Sequence, residues 1–127
     1  MAMRTIIGKL QDIQPNGESP RLELFFDPSD LVSLPSEHKG EITLIIHGAS
    51  WKGTIGLTPG NKPYVHTFLG GSKGRTRCTD LFLSLELAER AELEFHVRER
   101  GVLELDRVLT TGEWRAGGNP AERSRRT

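Results

Sequence analysis

The sequence has one cysteine, few aromatic residues, no long apolar run and no excess of either charge. Cys78 is the only cysteine among 127 residues, which excludes an intrachain disulfide and a zinc site built from several thiolates. Apolar runs are five residues or shorter, too short for a transmembrane helix or the core of a signal peptide. We therefore expect a cytoplasmic protein without a membrane segment, in keeping with a free thiol.

Length and composition predict one globular domain. A chain of 127 residues is within the usual size of a single domain and can bury a substantial core. The aromatic share is only 6%, so we expect a core of Leu, Ile and Val with five Phe. We place this domain at residues 1–110. Periodicity is lost after it, which predicts a flexible C-terminal tail over residues 111–127.

The charges balance overall but are uneven along the chain. Seventeen basic residues match seventeen acidic ones, and a zero sum is weak evidence against a nucleic-acid binder. Residues 39–85, however, contain six basic and two acidic side chains, a local net charge of +4. The segments on either side, 1–38 and 86–106, have net charges of −3 and −4. The middle of the chain is therefore the basic part of an otherwise balanced protein.

Alternation of apolar and polar residues predicts seven short strands. Asp27 followed by Pro28 is a helix start, and Thr79 or Asp80 is the predicted cap of a second short helix. No predicted helix is long enough to connect parallel strands of a doubly wound sheet. We therefore expect a mainly β fold, a partly open seven-stranded pseudobarrel with two short helices. The predicted strands are 4–13, 21–27, 41–47, 50–57, 64–69, 92–98 and 102–109, and residues 70–77 are predicted to be a flexible basic loop.

No set of residues has the spacing of a known catalytic or metal site. Asp27 or Asp30 followed by Glu37, His38 and Lys39 has nuclease-like spacing, but Glu37 and Lys39 lie in a predicted loop, whereas such a site needs them on a strand. His47 and His66 are candidates for meeting across a sheet, so a metal or an enzyme site near Tyr64 stays an alternative. The Gly-rich segment after residue 69 lacks the spacing of a phosphate-binding loop. We therefore predict no catalytic residue, metal or cofactor.

Basic and amide side chains are concentrated in the predicted turns and loop. Lys73, Arg75 and Arg77 alternate, so they point to one side if this segment is extended. Lys and Arg neutralise phosphates, and Arg or Asn also contacts base edges. Ordinary surface charge with glycines at turns is the alternative explanation.

The predicted element order resembles that of DNA-binding pseudobarrel domains, found in plant transcription factors and in effector domains of some restriction endonucleases. Residues 85–95 are similar to that family's pattern of a helix, a leucine, a turn and a strand with Phe, and Trp51 suits the fourth strand. Arg90-Ala91-Glu92 replaces the family's Gly-Asp turn. Residues 48–51 also resemble a Gly-x-x-Trp strand pair in bacterial domains of unassigned function.

The pseudobarrel resemblance implies a non-enzymatic domain that binds double-stranded DNA with two arms. Transferred by position, the first arm comprises Lys9, Gln11, Gln14, Asn16 and Arg21, and the second Lys52, Thr54, Asn61, Lys62 and His66. To these we add, from charge alone, Lys73, Arg75 and Arg77.

The alternative hypothesis is a protein-interaction or homodimerisation module without a nucleic-acid role. In it, the acidic strand pair of residues 92–106 faces a basic partner. Exposed strand edges favour dimer formation by strand addition.

Overall fold

A computed structural model describes residues 4–14, 16–18, 20–34 and 40–113, and these contain nine strands and two short helices. The strands are β1 (Thr5–Asp12), β2 (Leu22–Phe25), β3 (Glu41–Ile46), β4 (Ala49–Leu57), β5 (Pro63–Val65), β6 (Phe68–Gly71), β7 (Gly74–Arg77), β8 (Glu92–Glu99) and β9 (Val102–Thr110). The helices are a 3-10 helix (Pro28–Ser33) and α1 (Cys78–Ser84). Residues 114–127, which contain most of the predicted tail, lie outside the described residues.

Seven strands close into a barrel. Around the ring they follow the order β3, β9, β8, β1, β2, β5, β4, and β4 pairs back onto β3. Every neighbouring pair is antiparallel except β3 and β9, which run parallel. The hairpin of β6 and β7 lies outside the ring and joins β4 where Lys52 pairs with Gly70. The predicted fold class, a mainly β seven-stranded barrel with two short helices, is confirmed, but the barrel is closed rather than partly open, because β4 pairs back onto β3.

The predicted alternation places apolar side chains inside the ring. Along β1, Ile6 and Leu10 are buried while Ile7 and Lys9 are exposed, as period-two patterning requires. The rings of Phe26 and Phe95 meet edge to face in the core, with centroids 6.0 Å apart. The core is mostly Leu, Ile and Phe, in agreement with the composition.

The two helices differ in how they begin. Asp27 starts the 3-10 helix as predicted, because its Oδ1 accepts a hydrogen bond from Ser29 N over 2.9 Å. The prediction that Thr79 or Asp80 caps α1 is wrong, since α1 begins at Cys78 and is preceded by Arg77. Thr79 instead exchanges hydrogen bonds with the backbone of Leu22 and so ties α1 to β2. Within the described residues no helix has the length and apolar character needed to cross a membrane.

The prediction of a flexible loop over 70–77 is wrong, because this segment forms most of a regular hairpin. The single strand predicted over 64–69 is divided into β5 and β6, with His66 and Thr67 between them. Leu69 is fully buried and anchors β6 against the barrel. Gly71 lies against Trp51, and a Cβ there would come within 2.5 Å of the indole. Glycine therefore permits close packing here, whereas its presence in the sequence suggested a loop.

The first arm includes the turn between β1 and β2, and the second arm the turn between β4 and β5; we call these the first and second turns, and they lie at opposite ends of the barrel. β2 begins just after the first turn, and β5 begins just after the second. These two strands are antiparallel neighbours that pair at Phe25 and Tyr64, so their starting points are at opposite ends. The hairpin of β6 and β7 follows the end of β5 and therefore lies at the same end as the first turn.

Candidate nucleic-acid interface

An exposed phenylalanine and two arginines form a compact group on the β6–β7 hairpin. Phe68 pairs with Arg77, and Gly70 pairs with Arg75, so all three side chains point to the same side. The guanidinium carbon of Arg75 lies 3.9 Å from the centroid of the Phe68 ring, and that of Arg77 lies 6.0 Å away. Phe68 is 43% exposed. We call Phe68, Arg75 and Arg77 the hairpin face.

The hairpin face is held by its opposite, inward side. Leu69 is completely buried, and Trp51 covers Gly71 from the barrel side. At the base of the hairpin, Cys78 N donates a hydrogen bond to Thr67 O over 2.7 Å. The hairpin is therefore packed onto the barrel, and its outward side chains are presented by regular strands.

Lys52 and Thr54 extend this basic surface onto the barrel. Lys52 is the direct cross-strand partner of Gly70, so its side chain points to the same side as the hairpin face. Thr54 lies two residues further along β4 on that side and is half-buried. Lys73 lies in the two-residue turn between β6 and β7, where it is exposed.

Arg21 joins the first turn to the base of the hairpin. Its Nη2 donates a hydrogen bond to Thr67 Oγ1 over 2.9 Å, and Thr67 Oγ1 donates to Glu23 Oε2 over 3.1 Å. Glu23 is buried, and the Thr67 hydroxyl links it to Arg21. Arg21 is the member of the predicted first arm that the structure brings next to the hairpin.

The other first-arm residues lie on the outer surface of β1 or in its turn. Lys9 is exposed and Gln11 half-buried on β1, and Asn16 is exposed in the turn. The buried carboxylate of Asp12 shapes this turn, because its Oδ1 accepts hydrogen bonds from Gln14 N and from Arg21 N.

The turn of the second arm is separated from this surface. Asn61 has a φ of 61°, and its N–H donates to Thr58 O over 2.8 Å, which closes the turn. Lys62 lies at the far end of the barrel with its Nζ 5.2 Å from the centroid of Phe25. The structure therefore does not bring Asn61 and Lys62 together with Arg21 and the hairpin face.

The histidine alternative is not supported by the positions of its members. His66 packs against Tyr64, with ring centroids 5.1 Å apart, and its N–H bonds to Thr54 O. His47 lies in the exposed turn before β4, beyond Ala49. His66 lies beside Thr54, whereas His47 lies before Ala49, which is five positions earlier on β4. Five positions of strand span about 16 Å at the usual rise, so His47 and His66 do not meet. Among the described residues, no three His, Cys, Asp or Glu side chains form a group suited to a metal ion.

Cys78 is a buried thiol at the base of the hairpin. Its Sγ donates to His66 O over 3.2 Å. Burial raises the pKa of the Cys78 thiol from 9.0 to about 12, and the negative charge of Glu23 adds to this. The thiol is therefore protonated at neutral pH, which makes it a poor nucleophile.

No protein-family model, curated protein or solved structure matches this chain. The pseudobarrel resemblance therefore stays a hypothesis, and the functional argument depends on the geometry of the surface.

The acidic strand pair differs from the hairpin face in how its charges are compensated. Across β8 and β9, Arg98 pairs with Glu104, and Arg107 Nε lies 3.1 Å from Glu94 Oε1. His96 Nε2 lies 3.1 Å from Asp106 Oδ1. By contrast, no carboxylate of the described residues forms an ion pair with Lys52, Arg75 or Arg77. These three cations beside the hairpin therefore have no carboxylate partner among the described residues.

Sequence reasoning named every cation of this surface but missed Phe68. The alternation pattern predicts a strand at Phe68, and its exposure follows only from the hairpin that pairs it with Arg77. A phenylalanine next to a Gly-Gly pair and a basic segment is the one local signal that could have indicated an aromatic platform.

Proposed function

We propose that this protein is a non-enzymatic nucleic-acid-binding domain whose contact surface is centred on the hairpin face. The observation behind the proposal is the 3.9 Å stacking of Arg75 on the exposed ring of Phe68, beside Arg77 and Lys52. Cations without carboxylate partners bind phosphates, and an aromatic ring contributes contacts to bases or sugars.

The pseudobarrel resemblance implies a double-stranded DNA ligand held by two arms, but these arms contribute unequally to the surface around the hairpin face. Arg21 of the first arm and Lys52 of the second lie near the hairpin, while Lys62 lies at the opposite end. We therefore assign the main phosphate contacts to Lys52, Arg75 and Arg77. Three phosphate contacts predict a slope of roughly −2 to −3 for the logarithm of the association constant against the logarithm of salt concentration.

The test compares two charge-matched double variants by fluorescence anisotropy with labelled oligonucleotides at low salt. R75Q/R77Q removes two cations from the hairpin face, and R90Q/R107Q removes two exposed cations that are paired with Glu113 and Glu94. We expect the first variant to weaken binding by about tenfold or more and the second by less than about twofold. An equal loss in both variants, or no binding by the wild type at low salt, contradicts the proposal.

Homodimerisation is the second candidate function, and the observation that favours it is the outer half of β9. β9 pairs with β3 only over Val102 to Glu104, and further along it pairs with β8 alone among the described strands. Val108 and Leu109 in this part are 41% and 39% exposed. Sedimentation of the wild type and of V108D distinguishes the two candidates. A stable dimer that dissociates in V108D, without affinity for nucleic acid, favours this one.

A further inference from the structure

We propose that the hairpin face binds an unpaired base, so that the preferred ligand is a single-stranded segment rather than a duplex. This inference rests on the proposed function and specifies its substrate class. Phe68 is exposed, and the guanidinium of Arg75 lies over its ring. Because a guanidinium is planar, the pair offers a ligand two flat groups, the ring and the guanidinium.

The first step concerns the stack itself. At 3.9 Å from the ring centroid, the Arg75 guanidinium is in contact with the Phe68 ring. Arg75 is itself exposed, so the planar group is accessible as well as the remainder of the ring. Nucleobases stack on aromatic rings and on guanidinium planes, provided that the base is not already stacked on both faces.

The second step concerns the neighbouring charges. Lys52 on β4 and Arg77 on β7 flank Phe68 on β6, two strand spacings across and two residues along the strands from each other. Together these offsets separate the two backbones by about 12 Å, so the long side chains can contact phosphates on either side of one stacked nucleotide. The face therefore combines a platform for a base with two cations for its backbone.

The third step concerns the edge of the hairpin. Among the described strands β7 pairs only with β6, so its outer edge has main-chain N–H and C=O groups available for a ligand. Unpaired bases have free hydrogen-bonding edges, whereas those of a duplex are used in base pairing. A backbone edge beside a stacking platform thus suits an unpaired base.

A duplex uses less of this surface. Its bases are stacked on both faces, so Phe68 contributes nothing unless it intercalates, and only the cations remain useful. The second-arm turn that would add duplex contacts, with Asn61 and Lys62, lies at the opposite end of the barrel. These two features together favour the single strand.

The experiment measures binding of four probes to the full chain at one low salt concentration. They are a labelled single strand of mixed sequence, its duplex, the same strand with abasic residues throughout, and a sulfated polysaccharide as competitor. The abasic strand keeps the phosphates and removes only the bases. We expect the normal strand to bind about tenfold more tightly than either the duplex or the abasic strand. The polysaccharide should compete weakly.

Variants of Phe68 test the platform. F68L keeps an apolar side chain but removes the ring, and we expect it to weaken single-strand binding by about fivefold or more. F68W restores a stacking surface and should bind within about twofold of the wild type. Phe68 is outside the core, so the thermal midpoint of both variants should stay close to that of the wild type.

The outcomes separate the inference from the proposed function. If duplex, normal strand and abasic strand bind equally and R75Q/R77Q weakens all three, the nucleic-acid function stands and the stacking inference is overturned. If F68L binds like the wild type, the inference is overturned too. If no oligonucleotide binds, or the polysaccharide binds as tightly as the single strand, the proposed function itself fails.

Discussion

Arg21 and Thr67 are 46 residues apart in the chain, and Nη2 of the first donates a hydrogen bond to Oγ1 of the second over 2.9 Å. The same hydroxyl of Thr67 donates a hydrogen bond to Glu23 Oε2 over 3.1 Å. Because Thr67 directly precedes Phe68, this chain of bonds connects the first turn of the barrel to the hairpin face. It also provides a donor for a buried carboxylate.

Replacing Thr67 by valine should destabilise the protein. T67V keeps the shape of the side chain but leaves the buried carboxylate of Glu23 without this donor, which costs about 1–3 kcal/mol. Urea unfolding measures the change in the free energy of unfolding. T67S keeps the hydroxyl and is the control. A T67V variant as stable as T67S would contradict a stabilising role for the hydroxyl's hydrogen bonds.

Gly112 and Gly48 form a matched pair for separating backbone strain from steric clash. Both have a φ of +80°, so alanine at either costs roughly 1 kcal/mol or somewhat more. A Cβ at Gly48 meets nothing within 4 Å, whereas at Gly112 it collides with the backbone carbonyls of Glu89 and Ala88. We expect G112A to lower the free energy of unfolding by about 1–3 kcal/mol more than G48A. Equal losses in urea unfolding would contradict this packing of residues 111–113 on 88–89.

Cys78 should make stability fall at alkaline pH. Its pKa is raised from 9.0 to about 12 by burial, so an unfolded chain loses the thiol proton at a lower pH than the native protein does. Its contribution is therefore fully present below pH 9 and is lost as the pH rises toward 12. At one unit above the unfolded pKa the loss is about 1.4 kcal/mol.

The variant C78A isolates this effect. The difference in unfolding free energy between wild type and C78A should shrink between pH 8 and pH 10, because only the wild type has the thiol. In the same range the native thiol should react slowly with a thiol reagent and quickly once urea unfolds the chain. A difference that is independent of pH, together with rapid labelling of the native protein, would contradict the burial of Cys78.

Arg107 should matter little for stability. It is exposed and paired with Glu94 across two strands, and such surface pairs contribute less than about 1 kcal/mol. R107Q should therefore unfold within about 1 kcal/mol of the wild type, and high salt should reduce even this difference. A larger loss would mean that Arg107 is unsuitable as a control in the binding experiment.

The sequence alone determined the fold class, because the alternation of apolar and polar residues that specifies strands is a local feature of the chain. Alternation in β1, β3 and β8 separates an inner from an outer face, and such a face must be buried against other strands. Asp27 followed by Pro28 was enough to locate the 3-10 helix, since capping involves neighbouring residues only. For the candidate site, charge alone identified Arg75 and Arg77, and the pseudobarrel resemblance added Lys52.

Only the tertiary structure decided what depends on contacts between distant residues. The parallel pairing of β3 with β9 closes the barrel, and neither strand has a local signal for its partner. The hairpin of β6 and β7 forms because Trp51 covers Gly71 and Leu69 is buried, although the local composition favours a loop. The stacking of Arg75 on Phe68 and the separation of the two predicted arms both follow from strand pairing. Strand pairing is non-local, because the free energy gained by burying a contact depends little on the length of chain between the two residues.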